Sequence, residues 1–204
     1  MTDTLSQALL QSIEAAARVL RDGGLAVYPT ETFYGLGAAV ARADAVHKLG
    51  SLKGRDASKP MPVIVGDEAA ARALWVEVPA AAEIFIKRFW PGPLTIVLPA
   101  RPGLPFELAP SGNIGIRVSS HPVARELARR VGPLVATSAN LSGNHESTKV
   151  AQIDRKLREA VGFVLDAGQT PGGRPSTVLS FTEGKPEIIR EGAIQRALID
   201  ACSV

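Results

Sequence analysis

Two short pairs of residues in this chain have the types and spacing to hold a phosphate or a nucleotide: Lys53 with Arg55, and Ser138 with Asn140. Lys53-Gly54-Arg55 follows a helical stretch. Past a helix end, residues two apart point the same way, so both cations could clamp one polyanion. A solvated charged face accounts for the same spacing, and surface charges of that kind can be removed at a cost of about 0.5 kcal/mol or less. In Thr137-Ser138-Ala139-Asn140-Leu141-Ser142-Gly143, an extended backbone puts Ser138 and Asn140 on one face. They offer a hydroxyl and an amide suited to phosphate, ribose or adenine edges; a Ser/Asn-rich turn is the plain alternative.

Pro29-Thr30-Glu31-Thr32-Phe33-Tyr34-Gly35-Leu36-Gly37 reads as a polar, Gly-rich loop directly after an apolar strand. Ligands of open α/β sheets bind outside the carboxyl ends of strands, so two Thr hydroxyls, a Glu and a Tyr there point to a site, and an ordinary polar turn explains them equally. Arg117 interrupts an otherwise apolar strand. A buried guanidinium requires an anion, either an Asp or Glu or a ligand. None of these motifs pairs a Ser or Cys with a His, so the implied chemistry is positioning plus cationic stabilisation, which suffices for attack at a phosphate.

Several familiar motifs are absent from the sequence. There is no G-x-x-x-x-G-K-[ST], no G-x-S-x-G and no H-E-x-x-H, and Gly35-Leu36-Gly37 lacks the third glycine of a dinucleotide fingerprint, which here is Val40. One cysteine, Cys202, excludes an intramolecular disulfide and a cysteine zinc cluster, and His47, His121 and His145 lie at no metal-ligand spacing. Asn140-Leu141-Ser142 fits a glycosylation acceptor, but no secretory signal accompanies it. Met1-Thr2-Asp3-Thr4 opens no signal peptide, and no apolar run approaches the ~20 residues of a membrane span, so a cytoplasmic protein is expected.

The elements that must carry these residues follow from periodicity and from Gly and Pro. Helices are expected over 5–20, 43–52, 68–74, 79–89, 122–131 and 150–161. Strands are expected over 25–28, 63–65, 94–98, 114–118, 134–137, 163–165, 177–181 and 187–190. This interleaving predicts an α/β fold, a single-domain twisted open sheet flanked by helices, with the domain over 5–195 and a C-terminal tail over 196–204. The 204 residues are 46% hydrophobic and 21% charged, which excludes a disordered chain, and 19 Gly with 15 Pro exclude a coiled coil. The net charge of +3 is compatible with a phosphate-bearing ligand or RNA and demands neither.

Taken in order, the motifs resemble the YrdC/Sua5 family, whose members make threonylcarbamoyl-adenylate. The matching stretches are the Pro29 to Gly37 segment, Lys53-Gly54-Arg55, Trp90-Pro91-Gly92-Pro93-Leu94-Thr95, and Arg117 with His121-Pro122. Further on come Ser138-Ala139-Asn140-Leu141-Ser142-Gly143, Pro175-Ser176-Thr177-Val178 and Ile189-Arg190-Glu191-Gly192. The resemblance implies a sheet with a large basic concave cavity, in a short form without the C-terminal domain of the long members. It implies a nucleotidyltransferase that joins L-threonine, bicarbonate and ATP into threonylcarbamoyl-AMP and releases pyrophosphate. Mg²⁺ would be held mainly by the ATP phosphates. Downstream tRNA threonylcarbamoyl transferase proteins would pass the group to a tRNA adenosine, and binding of tRNA by this chain itself would be weak.

By the same resemblance, Lys53, Arg55, Ser138, Asn140 and Arg190 look like the ATP-binding residues, with Lys53 and Arg55 catalytic. Thr30, Tyr34, Arg117, Ala136 (through its backbone) and Ser176 look like the threonine subsite. The chain differs from some longer members, which carry a His where this one has Val63-Ile64-Val65-Gly66-Asp67 and an Arg where it has Asn144-His145-Glu146. A non-catalytic module binding tRNA or double-stranded RNA is the alternative from another class, but the scarce aromatics form no stacking platform.

Overall fold

Side-chain caps and a few close backbone approaches set where the elements of this chain begin and end. The computed structural model describes residues 5–54, 59–141 and 143–202. The helices are α1 (Gln7–Arg21), α2 (Ala43–Leu52), α3 (Glu68–Arg72), α4 (Ala80–Phe89), α5 (Pro122–Val131), α6 (Arg155–Ala160) and α7 (Arg196–Asp200). The strands are β1 (Ala26–Pro29), β2 (Tyr34–Gly37), β3 (Val63–Val65), β4 (Leu94–Pro99), β5 (Asn113–Val118), β6 (Leu134–Val135), β7 (Thr137–Ser138), β8 (Phe163–Val164), β9 (Thr177–Thr182) and β10 (Lys185–Arg190). Ser6 caps α1 through the Leu9 N–H, Asp67 caps α3 through the Ala70 N–H, and the His121 ring accepts from the Val123 N–H at the start of α5.

The domain is mixed α/β, with twisted sheets flanked by helices. A six-stranded sheet runs β10-β9-β4-β5-β3-β6, and a four-stranded sheet runs β7-β2-β1-β8. β6 and β7 lie on either side of Ala136, one in each sheet, so the chain crosses between the sheets at that residue. One core cluster gathers Leu36, Trp75, Phe85, Ile96 and Ile116; a second, under α1 and α5, gathers Ile13, Leu20, Tyr28 and Leu127. Among the described residues no helix is long and apolar enough to cross a membrane.

The structure departs from the expected elements at three places, each for a physical reason. The segment after Pro29 is not all loop: its second half is β2, fully buried and paired antiparallel to β1 with Pro29 opposite Tyr34. Gly37 serves close packing rather than a turn, since a Cβ there would lie 2.6 Å from both the Tyr28 ring and the Val135 carbonyl oxygen. The expected strand over 134–137 breaks at Ala136: its N–H donates to the Pro62 carbonyl at 2.8 Å in register with β6 on β3, but Pro62 has no N–H to return the bond, so the ladder ends there. The expected helix over 150–161 is a 3₁₀ turn at Val150–Gln152, then a break at Asp154, whose carboxylate caps α6 through the Lys156 N–H. Residues 196–200 form α7, and Ile199 and Cys202 are buried in the main core.

Candidate active site

The connection from β1 to β2 is a tight turn built by its own hydroxyls. The Thr30 hydroxyl donates to the Phe33 carbonyl at 2.7 Å, accepts from the Thr32 N–H at 3.2 Å and lies 3.1 Å from the Thr32 hydroxyl, which holds both Thr side chains in place. The Tyr34 hydroxyl sits 2.6 Å from the Gly168 carbonyl and 3.0 Å from Asp166 Oδ1, sharing its one proton between them, and accepts from the Ala167 N–H at 3.2 Å. Burial pushes its pKa up to about 12, because a phenolate there would lose its water.

Behind this turn lies Arg117, on β5 opposite Ile64 of β3 and only 7% exposed. The anion that faces it is Glu31: Arg117 Nη1 and Glu31 Oε1 are 3.2 Å apart. The other carboxylate oxygen of Glu31 accepts from the Ser119 hydroxyl, and Ser119 Oγ in turn accepts from the His121 N–H at 3.1 Å. Burial lowers the His121 pKa against a smaller opposing pull from Glu31, so the ring stays neutral and able to accept at the α5 cap.

The third group surrounds β7. Lys53 follows α2 directly, but its side chain does not project into solvent as the plain reading of the Lys53-Gly54-Arg55 cluster expected; it is 5% exposed. Its ammonium donates to the Ser138 carbonyl at 2.7 Å, the Asn140 carbonyl at 2.5 Å and Asn140 Oδ1 at 3.3 Å. Lys53 thus ties the α2 exit to the Ser138–Asn140 segment. The Ser138 hydroxyl donates to Asn140 Oδ1, and Asn140 Nδ2 donates to the Asn144 carbonyl. Arg55 and Ser142 lie outside the described residues.

The fourth comes from the other sheet. Arg190 donates to the Ser176 carbonyl at 2.9 Å and to its hydroxyl at 3.2 Å, and the Ser176 hydroxyl lies 3.0 Å from that of Thr95. Gly192 is packed so closely on this segment that a Cβ would fall 2.2 Å from the Pro175 carbonyl oxygen. The Thr177 hydroxyl accepts from both the Gly192 and Ile194 N–H groups, which clamps the end of β10 to the start of β9.

Residues far apart in the sequence meet in one cleft of about 140 Å³. All five residues of the expected threonine subsite (Thr30, Tyr34, Arg117, Ala136 and Ser176) line it, together with Ser138 and Arg190. Lys53 and Asn140 reach it through Ser138. A second cleft of about 520 Å³ adjoins it and shares Pro62, Thr95 and Arg190. Among the described residues the charged side chains lining the smaller cleft are Arg117, Arg190 and Glu146. Thr95 and Glu146 carried no assignment from the sequence. Thr95 shares one end of a buried apolar strand with Leu94; its signals were a lone hydroxyl among aliphatic residues and its place at the end of the Trp90 to Thr95 stretch.

The Sua5_yciO_yrdC family model, described as "Telomere recombination", matches residues 18–192. The chain belongs to this family. It is 39% identical over 204 residues to the threonylcarbamoyl-AMP synthase of Bacillus subtilis, covering 98% of this chain and 59% of that protein. It is 37% identical to the threonylcarbamoyl-AMP synthase of Methylococcus capsulatus, covering 85% of this chain and 94% of that one. The crystal structure of Pyrococcus abyssi Sua5 complexed with L-threonine superposes with a TM-score of 0.89 at 34% identity, over 93% of this chain and 56% of that one. The chain therefore spans little more than half the length of two of these family members and nearly all of the third.

Proposed function

We propose that this protein makes threonylcarbamoyl-adenylate from L-threonine, bicarbonate and ATP, releasing pyrophosphate. The observation that carries the reading is the convergence of Thr30, Tyr34, Arg117, Ala136 and Ser176 on one cleft of amino-acid size, beside a larger one with room for a nucleotide. The family membership and the names of its relatives support the same reading and give no support to the non-catalytic RNA-binding alternative.

In this reading the threonine carboxylate lies on the Arg117 fork, and Thr30, Tyr34 and Ser176 surround the rest of the amino acid. The Ala136 N–H is committed to Pro62, so a contact from that residue uses its carbonyl oxygen. The threonine amine condenses with bicarbonate, losing water, to give a carbamate. One carbamate oxygen then attacks the α-phosphorus of ATP in line, and the bond to the pyrophosphate oxygen breaks. Lys53, Arg55 and Arg190 offset the phosphate charge, and Ser138 and Asn140 hold the nucleotide; of these, Arg190 lines both clefts and Ser138 lines the smaller one. For Lys53 this requires it to exchange a carbonyl partner for a phosphate oxygen.

Mg²⁺ enters with the ATP, held mainly by its phosphates; among the described residues no three His, Cys, Asp or Glu side chains converge to hold it. Residues 5–195 form the working unit, and the product goes to transferase proteins that modify a tRNA adenosine in the cytoplasm. The test is direct. Purified protein is incubated with all three substrates, and threonylcarbamoyl-AMP and pyrophosphate are measured by mass spectrometry and phosphate assay. Omitting threonine or bicarbonate must abolish both products. ATP consumption that ignores threonine overturns the reading.

A further inference from the structure

We propose that Glu31 is a specificity-determining residue for the amino-acid substrate: its buried charge cancels that of Arg117, so the cleft accepts a zwitterion and discriminates against a carboxylate that lacks an ammonium group. The inference rests on the reading that Arg117 meets the substrate carboxylate.

The pair is almost sealed. The Arg117 and Glu31 side chains are 8% and 9% exposed, and the closest approach is Nη1 to Oε1 at 3.2 Å. That contact carries charge but no aligned hydrogen bond, because Glu31 Oε1 is fully buried without a hydrogen-bond partner among the described residues. The guanidinium accordingly keeps its N–H fork for a planar acceptor in the cleft, while its charge is already matched. Thr30 and Thr32 line the cleft on either side of Glu31, whereas Glu31 itself does not. Its second oxygen is anchored by the Ser119 hydroxyl. Glu31 therefore acts on a ligand through its field and through Arg117, not by touching it.

The sign of the effect does not depend on the exact pose. The Glu31 charge repels a substrate carboxylate and attracts a substrate ammonium. For threonine the two terms oppose; for a deaminated analogue only the repulsion remains. Removing the charge must therefore favour the anion relative to the zwitterion. One unit charge about 6 Å away, at an effective dielectric of about 20, corresponds to a selectivity change of roughly tenfold to a hundredfold.

Wild type and Glu31→Gln, which keeps the shape and the acceptor for Ser119, are titrated by calorimetry with L-threonine and with 3-hydroxybutyrate, which is threonine without its amino group. The wild type is expected to prefer threonine. In Glu31→Gln the ratio of the two dissociation constants is expected to move toward 3-hydroxybutyrate by about tenfold or more. An unchanged ratio overturns the proposal whatever happens to the absolute affinities, since a purely structural loss weakens both ligands alike. Ser119→Ala keeps the charge and is expected to keep the wild-type ratio; a shift there as large as that of Glu31→Gln assigns the effect to loop packing and overturns the proposal. Even if Glu31→Gln fails to fold, a wild type that binds 3-hydroxybutyrate as tightly as threonine overturns it. A wild type that binds no threonine overturns the proposed function, and this inference with it.

Discussion

Lys53 and Arg117 are both buried cations, at 5% and 7% exposure, and their described contacts are of different kinds. Lys53 spends its donors: each of its hydrogen bonds to Ser138 and Asn140 ends on a neutral oxygen. Arg117 is matched in charge by Glu31, with no aligned hydrogen bond at the point of contact. The first arrangement fixes geometry and organises a loop. The second removes the electrostatic cost of burial and leaves the planar fork open toward the cleft. Equal burial thus covers two kinds of contact, neutral acceptors gathered on Lys53 and a carboxylate set against Arg117.

The largest effect should come from breaking the charge match. Arg117→Met leaves the Glu31 carboxylate buried and uncompensated, and urea unfolding is expected to show a loss of about 3–5 kcal/mol. Combining it with Glu31→Leu should recover most of that loss, because the unpaired charge and not the missing packing dominates. A double variant as unstable as Arg117→Met would mean that the pair is held by its packing.

Arg117→Lys separates charge from fork. The ion pair to Glu31 survives in kind, so stability should change far less than in Arg117→Met. Threonine affinity by calorimetry should fall by about 1.5–3 kcal/mol, while ATP binding persists. Full threonine affinity in a destabilised protein would leave Arg117 as a structural partner of Glu31 alone.

Lys53→Met tests the other side of the comparison. Carbonyl oxygens of Ser138 and Asn140 lose their donor, which is expected to cost about 1–3 kcal/mol of stability as well as ATP turnover. A variant with wild-type stability would return Lys53 to the class of solvated charges.

The smallest effect concerns Tyr34. Losing its hydroxyl in Tyr34→Phe should cost about 0.5–1.5 kcal/mol near neutral pH. Its pKa is raised from the ordinary 10 to about 12 in the folded protein, so the stability linked to this proton is fully present below pH 10 and is lost as pH rises toward 12. Unfolding measured between pH 9 and 12 should therefore fall less steeply in Tyr34→Phe than in wild type. Part of the slope remains, because burial also raises the Tyr28 pKa.

Much of this protein was legible from local pattern. The helix over 43–52 and the helix over 122–131 appear at their expected bounds, because an apolar stripe and a clear start or stop need only neighbouring residues. β2 was not legible: Gly35 and Gly37 carry turn chemistry locally, and only the Tyr28 ring and the Val135 carbonyl show why glycine stands at position 37. The split of one expected strand at Ala136 likewise depends on Pro62, more than 70 residues earlier.

The candidate site divides in the same way. Residue type and spacing alone pointed to the Thr30 to Tyr34 loop with its two Thr, Glu31 and Tyr34, to Lys53 with Arg55, to Ser138 with Asn140 and to Arg117, and required an anion for Arg117, because the cost of burying a charge does not depend on the fold. Which anion it meets is a tertiary fact: Glu31 and Arg117 lie 86 positions apart in the chain and 3.2 Å apart in space. So is the burial of Lys53, whose acceptors sit on and just after a strand that the chain reaches only after crossing from one sheet to the other. Sequence carries the chemical demand of each side chain; which partner meets it follows from strand order and register, set by packing between residues that no local pattern connects.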